Sequence, residues 1–159
     1  MKKLLQVSSG LAIVAGLVLV VGGAWGICFT YQNIVRENIV TPDDAAIGGK
    51  QVRGPFTLKA QADIIREHTL KMTGGKAFAE MPRQIPELDA EGEPVLDAAG
   101  KPVMIPNTDR DIWITATTLI TALNLGILTY VFSSLILLFG AISIWTGIIF
   151  YQLSRGQLT

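Results

Sequence analysis

The stretch LLQVSSGLAIVAGLVLVVGGAWGICFTYQNIV, residues 4–35, carries no charged side chain. A second uncharged run covers residues 112–154. Crossing a bilayer takes about 20 mostly apolar residues at about 1.5 Å of rise each, and both runs exceed that length. All 13 Asp and Glu lie between them, over residues 37–111, and so do all seven prolines. The sequence therefore predicts a membrane α fold, a two-transmembrane-helix hairpin around one polar loop. An N-terminal anchor occupies residues 1–35 and a loop domain residues 36–111. Residues 112–159 hold an amphipathic segment, the second span and a short tail.

Lys2 and Lys3 precede the first run and Arg155 follows the second. The positive-inside rule then puts both termini in the cytoplasm and the loop outside. The loop has ten Lys and Arg against thirteen Asp and Glu. Loops beyond roughly 60 residues translocate largely regardless of their charge, so these cations carry little weight. A cleavable leader is the alternative, with GGA at residues 22–24 as its small-residue site. The apolar run outlasts the roughly 7–15 residues of a leader core, which favours an uncleaved anchor. Cys28 is the only cysteine, so no intramolecular disulfide forms, and it is read as a small hydrophobe.

Small residues recur every seven positions in both runs: Ser9, Gly16, Gly23 and Thr30 in the first, Gly126, Ser133, Gly140 and Gly147 in the second. A seven-residue stripe stays on one face of a helix in a left-handed pair, and small side chains let two backbones approach. The expected arrangement is an antiparallel pair with the stripes facing. Gly22 with Gly26, and Ser143 with Gly147, offer shorter-period faces to a second protein. Trp25, Tyr31 and Tyr151 suit the membrane edges. Beyond the outer edge, Ile112, Ala116, Leu119, Ile120 and Leu123 share a face, with Thr117, Thr121 and Asn124 on another. Either the second span continues through this segment, or the segment lies flat on the membrane before a bend near Gly126.

Within the loop, TPDDAAIGGKQVRGPF, residues 41–56, is turn-rich and reads as irregular. A helix follows from Gly54-Pro55, since proline suits the first helical position, to Gly74-Gly75, a good stop. Leu58, Ala62, Ile65, Thr69 and Met72 form its apolar face with Ile64 beside them. Glu67 and Lys71 stand in the favourable i,i+4 order. Such a small loop is poor in core residues, so this helix is expected to pack on the projecting ends of the spans. The surface residues expected to touch a partner are Phe56, Ile64, Ile65, His68 and Phe78.

Residues 88–103, LDAEGEPVLDAAGKPV, state one eight-residue phrase twice. Asp favours the start of a tight turn and Gly supplies positive φ at its end. Short apolar flanks around the two turns predict a small β-meander, with Pro94 and Pro102 limiting its strands. A calcium loop would need acids at alternate positions, Gly at the sixth and Glu at the twelfth. Gly92 comes only three residues after Asp89, and Lys101 stands where a ligand would, so no metal is expected. TGGKA at residues 73–77 lacks both the first glycine and the Ser or Thr of a phosphate loop. Basic residues are too mixed with acids for nucleic acid. No catalytic residue or cofactor is expected.

Residues 54–83, GPFTLKAQADIIREHTLKMTGGKAFAEMPR, with an apolar span on either side, resemble a group of small actinobacterial two-span membrane proteins designated aromatic ring-opening dioxygenase LigA. AQADII, TGGK and AEM carry the likeness, and residues 86–106 look like an insertion relative to shorter members. The resemblance implies a protein of the bacterial cytoplasmic membrane. The designation implies non-haem iron held by two histidines and a carboxylate, and this chain has His68 alone. The expected function is a non-enzymatic accessory or scaffold subunit whose surroundings are lipid and a membrane-protein partner or a second copy. The alternative is an outer binding or sensing module.

Overall fold

The computed structural model describes residues 1–156; the last part of the expected tail, 157–159, lies outside them. Three helices dominate: α1 (Lys2–Arg36), α2 (Pro55–Met72) and α3 (Thr108–Arg155), with a short 3-10 turn (Phe78–Glu80) and two three-residue strands, β1 (Gln84–Pro86) and β2 (Met104–Pro106). Both α1 and α3 are long and apolar enough to cross a membrane.

The two long helices run antiparallel and touch along the small-residue stripes. The Ser9 hydroxyl donates to the Gly147 carbonyl at 2.7 Å. A Cβ on Gly16 would fall 2.7 Å from the Gly140 carbonyl oxygen, and one on Gly23 2.7 Å from that of Ser133. Each step of seven up α1 thus matches a step of seven down α3. Ser143 adds a second bond across the contact, to the Ala12 carbonyl at 2.8 Å. Ser9, Gly16, Gly23 and Thr30 are all buried, as are Ser133, Gly140 and Gly147. Gly26 faces Ser133 and Gly147 faces Ile13, so these members of the shorter-period pairs are occupied within the chain; Gly22 has open space around it.

Why α3 is continuous follows from its ends and its one interior weak point. Asn107 caps it by accepting from the Asp109 amide at 3.1 Å. Asp109 and Asp111 sit in its first turn, where carboxylates complement the helix dipole. Gly156, at φ 71°, closes it in the left-handed conformation. The helix runs through Gly126 without interruption. The missing Cβ of Gly126 instead admits Leu58, whose Cδ1 lies 3.2 Å from where that Cβ would be. Residues 112–124 are therefore part of α3, not a separate interfacial helix.

Along α3 the buried face steps by three and four residues: Trp113, Ala116, Ile120, Leu123, Ile127, Tyr130, then Ser133, Leu137, Gly140, Ile144, Gly147. This is the period of coiled-coil packing, with one shortened step at Tyr130–Ser133. The upper part receives α2 and the lower part α1. Where the three helices meet, Val52, Leu58, Ala62, Leu123 and Tyr130 form the core, with Ile34, Ile39 and Ile65 packed on it.

Candidate interaction surface

The segment expected to be irregular, residues 41–56, is a closed loop built around one hydroxyl. Thr41 is buried; its Oγ1 donates to the Ile47 carbonyl and accepts from the Lys50 amide at 3.0 Å. Gly48 is required where the chain doubles back, because a Cβ there would lie 2.5 Å from the Asp43 carbonyl oxygen. The closure swings Val52 to 0 % exposure in the core, with its amide bonded to the Ile39 carbonyl at 2.9 Å. One residue on, the Arg53 carbonyl accepts from the Tyr130 hydroxyl at 2.7 Å. That bond ties the start of α2 to the middle of α3.

One side-chain link holds α2 further up. His68 meets Asp44 at 2.7 Å, joining the helix to the loop. This hydrogen bond is the main reason the Asp44 carboxyl is held below the usual carboxylate range. Lys71 pairs with Glu67 at 2.8 Å, and that partner raises its pKa. At the top, the Trp113 indole donates to Thr73 Oγ1 at 3.1 Å and to the Lys76 carbonyl at 2.8 Å. Arg66 lies over the Trp113 ring, 5.7 Å from its centre. Arg110 lies 3.9 Å over the Phe78 ring and bonds the Phe78 and Met81 carbonyls. A helix end without such ties would fray; here α2 is held at both ends.

The repeated phrase folds as two identical leaves on a stem, not as a meander. β1 and β2 pair antiparallel, Ile85 opposite Ile105, to make the stem. Each phrase then turns back on itself, closing with Leu88 opposite Pro94 and Leu96 opposite Pro102. At the junction the Glu87 amide donates to the Val103 carbonyl, Val103 to Val95, and Val95 to Glu87, each at 2.8 Å. These three positions are eight residues apart, and they form a closed ring of backbone hydrogen bonds. Pro94 and Pro102 lack an N–H, so neither can extend a ladder into a third strand. The next amide along, Val95 or Val103, bonds the neighbouring unit instead.

The aspartates have a structural task. Asp89 Oδ1 accepts from the Glu91 and Glu93 amides at 3.1 and 2.8 Å. Asp97 Oδ1 does the same for Ala99 and Lys101 at 2.8 and 3.0 Å. Gly92 and Gly100 take φ of 86° and 76°, as the turns demand. Among the described residues no three His, Cys, Asp or Glu gather as metal ligands would.

Of the five residues read as partner contacts, Phe56 is the most exposed, at 80 %. Phe78 is exposed under Arg110, and Ile65 and His68 are half-buried. Ile64 is buried at 3 % and belongs to the interior. Met72, expected on the inner face, is exposed; that face closes instead with Thr69 and Thr73. Val52, Thr41, Trp113 and Tyr130 carry much of the assembly, and the sequence reading assigned none of them. The 3–4 spacing through residues 113–130 was the available signal for the last two. No family model, curated protein or solved structure matches the chain.

Proposed function

We propose that α1 and α3 are two spans of a bacterial cytoplasmic membrane, with both ends in the cytoplasm and residues 36–111 outside. In this reading the chain is a non-catalytic accessory or scaffold subunit of a larger membrane assembly. The observation that carries it is the way the outer part is held. Val52, Leu58 and Ala62 find their core partners on α3 itself, at Leu123 and Tyr130. The outer module is therefore fixed rigidly to a helix that continues into the membrane half, which suits presenting a surface better than independent binding. Lys2, Lys3 and Arg155 lie together at the opposite end of the pair, as the positive-inside rule requires of the cytoplasmic side. Exposed Trp25 and Phe56 fall near the level of Tyr130, which matches an outer aromatic belt.

Purification of the full chain from its native membrane in a mild detergent tests this. A stoichiometric companion, or a defined homo-oligomer, is the expected result; a lone monomer overturns the subunit reading. Iron analysis of the same sample is expected to find none. Stoichiometric iron would return the dioxygenase activity to consideration.

A further inference from the structure

Counted from Tyr151, the inner-edge aromatic of the two-span reading, about 20 residues of α3 cross the bilayer hydrocarbon and end near Val131. The next residue outward is Tyr130, whose hydroxyl holds the Arg53 carbonyl at 2.7 Å. From there α2 leads away from the membrane: Leu58 packs at Gly126, and Thr73 meets Trp113. Arg53 and the first turn of α2 are therefore the underside of the outer module. They sit level with the headgroup layer, which adds about 5–7 Å beyond the hydrocarbon. The chemistry of this underside is apolar and cationic. Phe56 is exposed, and Lys59, three residues on, is exposed on the same side of the helix. The Arg53 guanidinium bonds the Gln51 side chain, and no carboxylate among the described residues pairs with it. Lys59 meets Asp63, but both side chains are largely exposed and such a pair is weak. Between Asp44 and Asp63 the sequence has no acid, against Lys50, Arg53 and Lys59.

We propose that this underside binds the heads of anionic phospholipids, with Arg53 and Lys59 on the negative charge and Phe56 seated beside the first acyl carbons. The proposal rests on the two-span reading above and adds to it the kind of lipid. Level and charge together select the occupant. At this depth an exposed side chain is surrounded by headgroups, and an anionic head supplies the partner that the Arg53 guanidinium lacks. Phosphate oxygens suit that planar fork of donors. A zwitterionic head offers the same phosphate, but its own cation cancels the net attraction. Glu37 lies beyond Ile34, which packs at Gly126, and so stands above the headgroup layer.

The test uses the full chain in nanodiscs holding equal parts of palmitoyl-oleoyl phosphatidylglycerol and phosphatidylcholine, with benzoylphenylalanine in place of Phe56. After illumination, mass spectrometry reads which lipid is joined to the chain. Phosphatidylglycerol is expected to exceed phosphatidylcholine at least about fivefold, the worth of one Arg or Lys near an anionic surface. Arg53→Gln with Lys59→Gln should bring the ratio to about one while lipid is still captured. Lys71→Gln with Lys76→Gln, exposed cations at the far end of α2, should leave the ratio as it was. Raising NaCl from about 0.01 M to about 1 M should lower the ratio with no substitution at all, because screening shortens the reach of exposed charges. A ratio near one with Arg53 and Lys59 intact, a ratio untouched by their replacement or by salt, or one lowered as much by the Lys71 and Lys76 changes overturns the proposal. So does a crosslink to polypeptide instead of lipid. Alkaline extraction of native membranes checks the two-span reading separately. Release of the chain into the soluble fraction would overturn that reading, whereas retention together with a ratio of one overturns the headgroup proposal alone.

Discussion

Gly10 and Gly16 lie less than two turns apart on α1, yet they answer to different constraints. A Cβ at Gly16 meets the backbone of α3, whereas nothing lies within 4 Å of one at Gly10. Gly16→Leu is expected to weaken the helix pair by about 1–3 kcal/mol or more, as overpacking does, and Gly10→Leu to stay within about 0.5 kcal/mol. Reversible unfolding of the detergent-solubilised chain measures both. Asp44 offers a pH test. Its carboxyl is held low by His68, so the stability it lends the 41–50 loop is present above the ordinary Asp pKa. That contribution is lost as pH falls through the depressed value. His68→Ala should raise the Asp44 pKa towards normal and so remove the acid-dependent part of the loop's stability, both followed by NMR titration. At this scale the stripe of small residues is legible because size and period are both written in the letters. The Tyr130–Arg53 and Trp113–Thr73 bonds are not, because each depends on where a distant loop returns.

Among the elements, α2 is largely readable from its own sequence. Pro55 begins it, Gly74 and Gly75 end it, and its apolar spacing marks the face against α3. The repeat is readable only in part. Asp and Gly announce two turns, but the ring of bonds joining residues 87, 95 and 103 is a property of three segments together. Gly92→Ala and Gly100→Ala force a Cβ into positive φ and are each expected to cost about 1 kcal/mol. The two effects should match, since the leaves are alike, and they should stay local, seen as faster amide exchange at Glu93 and Lys101 respectively. Because Asp89 and Asp97 each already accept two amides, added calcium is expected to leave the NMR signals of both turns in place.

As a whole, the molecule is organised around α3. At about 1.5 Å per residue its 48 residues reach about 72 Å, more than twice the ~30 Å of bilayer hydrocarbon. The excess length is what α2 and the 37–54 loop pack against. An isolated 36–107 fragment lacks Trp113, Leu123 and Tyr130, and it is expected to remain unfolded by circular dichroism. Extending the fragment to residue 131 should restore the α2 helix. Composition alone separates the apolar and polar parts of this chain. Their mutual dependence is less visible, because the residues that unite them lie inside an uninterrupted apolar run.

The junction positions of the two leaves are equivalent, and the stem closes the same way on either side of them. A leaf is thus a cassette of fixed length, which tandem duplication or loss in the gene could add or remove in whole units. Such changes would lengthen or shorten the outer end while the helical body kept its registration.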